Sequence, residues 1–126
     1  MHGRLYQIDT TPITKPLTAD DLLYYHDSIL DEEGWDYIAD LYKDDQEKDW
    51  GYFLKEFSPY IEFNEKEKYF TKNDIKVPRS YVEDDWDVFQ GNASDGSLTT
   101  MSNLLWIAER KPGQKYYIGA VLDYHC

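Results

Sequence analysis

The chain has 126 residues, with 25 Asp and Glu against 13 Lys and Arg, a formal net charge of −12 and a pI near 4.5. That balance repels nucleic acid and anionic membrane surfaces, so it argues against either as a direct ligand and favours a basic partner. At 41% hydrophobic and 17% aromatic the chain is too apolar for disorder, and its lone cysteine, Cys126, excludes an internal disulfide framework and a CxxC zinc pattern.

The length suits one domain, residues 1–126, with a core of its own. The N-terminal residues MHGRLYQID lack the apolar stretch of a signal peptide, and no run reaches transmembrane length. The expectation is a soluble cytoplasmic protein.

Residues 4–8 read as a short strand, with Leu5 and Gln7 on one face and Tyr6 and Ile8 on the other. Two prolines then make a loop. Thr18-x-x-Asp21 is a capping box that opens a helix running to about Asp31. A second helix is predicted over 32–44, on the stripe Trp35, Ile38, Leu41 and Tyr42, with Gly34 weakening its start. A third, near 47–57, has the cleanest apolar stripe: Trp50, Phe53, Leu54 and Phe57.

Residues 60–73 read as a hairpin with a charged tip, Glu65 to Lys68. Residues 80–96 are irregular, with Tyr81, Val82, Trp86, Val88 and Phe89 in a strand or a packed loop. A fourth helix is predicted over about 98–110, capped by Asp95 or Ser97 and stopped by Pro112-Gly113. A hairpin strand over 103–109 is the rival. The final strand, 115–125, is mostly apolar and should be central. The class is α+β, with about four helices on a short mixed or antiparallel sheet that includes both terminal strands.

Residues 20–49 hold 12 acids against Lys43 and Lys48, a net of −10. On the predicted second helix, Glu32, Asp36, Asp40 and Asp44 would form one row, about 6 Å apart along the axis. Each like-charge pair there costs roughly 0.2–0.5 kcal/mol. Such a row can imitate a polyphosphate edge and compete for a groove built to hold DNA or RNA. The ordinary alternative is a solvated acidic face. Glu33, Asp45, Glu47 and Asp49 extend this surface. Glu83, Asp84, Asp85, Asp87 and Asp95 form a second acidic cluster, net −5 over 83–95, around Trp86. Tyr52 and Trp86, with Tyr24 and Tyr60, would add rings on which a partner's arginine can stack.

Chemistry is thinly represented. Neither acidic cluster follows the calcium-loop spacing of an EF-hand. Asp123, His125 and Cys126 could meet His2 or His26 around zinc only if the terminal strands are neighbours. Cys126 is the last residue, GxSxG is absent, and the many carboxylate pairs single out no general acid and base. No catalytic residue, cofactor or metal is therefore assigned.

The stretches GRLYQI (3–8) and YYIGAVLDYH (116–125) are similar to those of a loose group of small uncharacterised proteins of bacterial mobile elements. The likeness covers about a tenth of the chain and brings no activity with it. It implies an α+β domain with strands at both ends, and a mobile-element role. Acidic proteins of such elements include inhibitors of CRISPR and restriction nucleases, and immunity proteins against toxins. The leading expectation is a non-enzymatic inhibitor, an anti-defence nucleic-acid mimic that occupies a cationic groove on a nucleic-acid-processing protein such as a host defence nuclease. The alternatives are an immunity-type protein, whose exposed Tyr and Trp would carry the binding energy, and a small metal-dependent enzyme.

Overall fold

A computed structural model describes residues 2–25, 29–78, 86–92 and 95–126. Its elements in chain order are β1 (His2–Asp9), α1 (Ala19–Tyr25), α2 (Ile29–Glu33), β2 (Tyr37–Asp40), α3 (Lys43–Glu56), β3 (Ile61–Asn64), β4 (Tyr69–Lys72), β5 (Asp87–Gln90), β6 (Ser97–Thr100), α4 (Met101–Ala108) and β7 (Tyr116–His125). The α+β class holds. The sheet, however, is larger than the short one expected: it runs β3-β4-β7-β1-β5-β6, and β2 also pairs with β7. It is mixed. Only β1 and β5 run parallel among the described pairs, while the terminal strands β1 and β7 are antiparallel neighbours.

Helices cover both faces. One face presents Tyr6, Ile8, Phe70, Val88, Tyr116 and Val121 to α3 and α4. The other presents Leu5, Phe89, Ala120 and Leu122 to Leu22 of α1, Ile29 of α2 and the buried Leu17 and Trp35. Covering both faces explains the nearly unbroken apolar run of β7. So does a bulge. Tyr6 pairs with Val121 but Ile8 with Ile118, so Gly119 and Ala120 together oppose Gln7. The side-chain parity of β7 flips there, and Tyr116 and Val121 reach the same face.

Gln7 holds the bulge together. Its side chain is wholly buried. Its Oε1 accepts from the N–H of Leu17 (2.8 Å) and of Ala120 (3.0 Å), and its Nε2 donates to the carbonyls of Gly91 (3.0 Å) and Lys15 (3.3 Å). Two donors and two acceptors are the full capacity of a primary amide. The space for this amide exists because residue 119 has no side chain. A Cβ there would lie 2.4 Å from Gln7 Oε1. From the α3 side, Trp50 Nε1 donates to the Gly119 carbonyl (2.8 Å), and the Val121 N–H donates to Gln46 Oε1 (3.1 Å).

The Thr18 capping box forms as expected: the Asp21 carboxylate accepts from the Thr18 N–H at 2.9 Å, and the Thr18 hydroxyl accepts from the Asp21 N–H at 3.2 Å. The hairpin over 60–73 and the α3 stripe also form. The predicted second helix over 32–44 does not. Gly34 ends α2 rather than opening a helix: with φ +71° it accepts the left-handed conformation, and the Trp35 N–H donates to the Leu30 carbonyl at 2.8 Å. This is a Schellman stop. Residues 37–40 then extend and pair with β7 as β2. The fourth helix is shorter than expected. Residues 97–100 are strand β6, and Thr100 caps α4 by accepting from the Asn103 N–H. Neither Asp95 nor Ser97 is the cap. Within 80–96, residues 87–90 are a strand, whereas Tyr81 and Val82 lie outside the described residues.

Candidate functional site

The loss of the second helix dissolves the row Glu32, Asp36, Asp40, Asp44. Glu32 and Glu33 end α2, Asp36 precedes β2, Asp40 closes it, and Asp44 and Asp45 lie in the first turn of α3. The carboxylates no longer follow a helical ruler. They bracket both ends of one short strand instead.

Several are committed within the molecule. Asp40 Oδ1 accepts from the Ala19 N–H at 2.8 Å and so caps α1 across 21 positions of sequence. Asp36 meets His125 Nδ1 at 2.7 Å while its side chain stays 66% exposed. Asp49 is not part of an open acidic face: Arg4 Nε donates to its Oδ2 at 2.8 Å, and Arg4 Nη1 donates to Asp123. Burial works against the Arg4 charge. The hydrogen bond and charge of Asp49, then the charge of Asp123, outweigh it and hold the pKa above the ordinary guanidinium range. Asp87 opens β5 and accepts from the Tyr124 hydroxyl. Glu47 sits 4.0 Å from Lys43, a wide and exposed contact that adds little. Glu33, Asp44 and Asp45 are exposed. Glu83, Asp84 and Asp85 lie outside the described residues, so the second acidic cluster is represented by Asp87 and the exposed Asp95.

Of the two aromatic candidates, Tyr52 is 62% exposed. Trp86 is half-buried and packs against Tyr6, Phe53 and Phe57, so it belongs to the core edge rather than to an open surface. Tyr52 stacks on it with ring centroids 5.7 Å apart. Tyr24 is exposed, but Tyr60 is half-buried against the core. Tyr42, next to the start of α3, is the most exposed of the large apolar side chains among the described residues, at 85%.

Where β1 begins, β7 ends and β2 begins, register places His2 opposite His125 and His125 opposite Tyr37. The Tyr37 and His125 rings are parallel at 5.6 Å, and His2 stands edge-on at 5.1 Å from His125. His2 Nδ1 lies 3.2 Å from Asp123. The terminal strands thus meet as the zinc reading required, with His26 outside the described residues. Among the described residues, no group of three or more His, Cys, Asp or Glu side chains is arranged to hold a metal ion. Cys126 is an exposed thiol.

Three tyrosines, two of them beside acids of the site, make a pH prediction. Burial raises the phenol pKa of Tyr6, Tyr116 and Tyr124. The Asp49 charge adds to it at Tyr6, and the Asp87 hydrogen bond and charge add to it at Tyr124. The unfolded chain loses these protons near pH 10, while the folded chain keeps them. The stability they contribute is therefore complete below about pH 10 and falls as pH rises beyond it. Urea midpoints measured from pH 8 to 11 should drop steeply above about pH 10, and less steeply in Tyr124→Phe. Equal slopes in the two proteins would contradict this assignment.

Sequence reasoning missed Arg4, the buried amide of Gln7, Gln46 and the place of Tyr37 beside the anticipated His2–His125 pair. A polar residue inside an apolar strand and a glycine opposite it were the available signals for Gln7. No helix among the described residues is long and apolar enough to cross a membrane. No family model, curated protein or solved structure matches the chain.

Proposed function

We propose that this is a non-enzymatic binding protein for a basic partner, and that it acts as an inhibitor by occupying the cationic groove of a nucleic-acid-processing protein, such as a host defence nuclease. One observation carries the reading: residues 31–47 hold eight acids against Lys43 alone, and they gather around a single edge strand. Glu33, Asp44 and Asp45 are the members to weigh most, because Asp36 and Asp40 already have internal partners, as does Asp49 just beyond the stretch. The partner's Lys and Arg, placed for phosphates, would pair with carboxylates, and association would be fast and salt-sensitive. The likeness of both termini to mobile-element proteins points the same way.

The test replaces Glu33, Asp44 and Asp45 with Lys. Asp36 and Asp40 stay, because changing them would also disturb β2 and α1. A pull-down from native lysate should retain a nucleic-acid-processing protein at about 50 mM salt and release it at about 500 mM. The triple variant should retain at least about tenfold less. Unchanged retention by the variant sinks the reading.

The exposure of Tyr42 and Tyr52 favours a second reading, an immunity-type plug for one toxin, in which rings carry the affinity. Alanine at those two positions would then weaken binding more than the charge reversals do. Trp86→Ala is a poor probe of this, because that ring packs against Phe53 and Phe57.

A further inference from the structure

The sheet leaves three outer strand edges among the described residues, on β3, β6 and β2. A strand edge is a row of backbone donors and acceptors able to take another strand. The three differ in charge. The β3–β4 hairpin, 61–72, balances Glu62, Glu65 and Glu67 with Lys66, Lys68 and Lys72, and β6 is uncharged. The β2 edge is bracketed by Asp31, Glu32, Glu33 and Asp36 before it, and by Asp40, Asp44, Asp45 and Glu47 around its end, with Lys43 the one base of that stretch.

β2 pairs with β7 along Tyr37–Asp40, and among the described residues no second strand pairs with its other side. Tyr37 and Asp40 are exposed, and Ile38 is anchored in the core. Among the described residues the strand is therefore strand-paired on one side only, with β7, while α1 meets its end through the Ala19 N–H, which donates to Asp40. Flanking carboxylates repel a second copy of this chain, which would bring the same charge to the same place. They attract an extended segment carrying Lys or Arg.

We propose that the outer edge of β2 is a docking site for an extended basic segment of the partner protein, which adds to the sheet as a further strand. The proposal rests on the basic-partner reading above and specifies how that partner is held. Backbone hydrogen bonds to residues 37–40 supply the pairing, and the acids at either end set the charge that the added strand must carry.

The probe is a short synthetic peptide alternating lysine and valine, compared with an analogue methylated at every backbone nitrogen. The analogue keeps the charge and loses the donors. The expected result is that the parent peptide slows amide exchange at residues 37–40, and that the analogue binds about tenfold more weakly, the loss of one or two hydrogen bonds. Equal affinity with unchanged exchange at β2 overturns the edge proposal and leaves the basic-partner reading standing. If neither peptide binds at about 50 mM salt, both fall.

Discussion

Gln7→Leu is expected to cost about 3–5 kcal/mol of folding stability, read as a fall in the urea midpoint without loss of a cooperative transition. Leucine is close to glutamine in size, so the cost comes from the backbone groups the amide serves. Two N–H groups, of Leu17 and Ala120, and the Gly91 carbonyl would be stranded, while the part-buried Lys15 carbonyl can turn to water. An unmet buried polar group costs roughly 1–3 kcal/mol, and partial relaxation keeps the sum below three full penalties. Gln7→Glu should fare no better, because it loses both donors and places a charge where the residue has no exposed surface. A Gln7→Leu protein within about 1 kcal/mol of the parent would show that the bulge finds other partners.

Arg4→Met should be the next most damaging, at about 2 kcal/mol. The fully buried case reaches 3–5 kcal/mol, but the Arg4 side chain is 34% exposed, which weakens the effect. The guanidinium joins three elements: it starts on β1, meets Asp123 on β7 and reaches Asp49 on α3. Removing it leaves two half-buried carboxylates without their shared cation. Methionine preserves much of the apolar stem, so the measured loss reports the charge. A cycle with Asp49→Asn should recover about 1 kcal/mol as coupling energy. Strict additivity of the two substitutions would mean that the contact at 2.8 Å contributes nothing.

What the sequence discloses here is local periodicity, and what it conceals is long-range partnership. The strands at both ends, the hairpin around Glu65–Lys68 and the α3 stripe Trp50–Phe57 each rest on neighbours within a few residues. The predicted helix over 32–44 failed for a specific reason. Trp35 and Ile38 stand three apart and are both buried on the same side, which imitates a helical stripe. One of them sits in the turn after a left-handed glycine, and the other points inward from a strand. Leu41 packs toward the opposite layer, and Tyr42 toward solvent. The acids were misjudged for a related reason. Their number is legible, but not which of them are consumed. Asp40 is taken by an amide in α1, Asp49 by an arginine on β1, and Asp87 by a hydroxyl on β7. Each partner is at least 21 residues away. Glu33, Asp44 and Asp45, by contrast, stay exposed.

The place of β7 bears on how fast this chain acquires its structure. It is the last element in chain order, yet β1, β2 and β4 all pair with it, and its contacts with β1 join residues more than 100 positions apart. Large loops must close before those pairings form, and topologies of this kind reach the native state in milliseconds to seconds rather than microseconds. Until β7 arrives, β1 and β2 lack their antiparallel neighbour, and a nascent chain stopped before residue 116 would present those edges to chaperones and proteases.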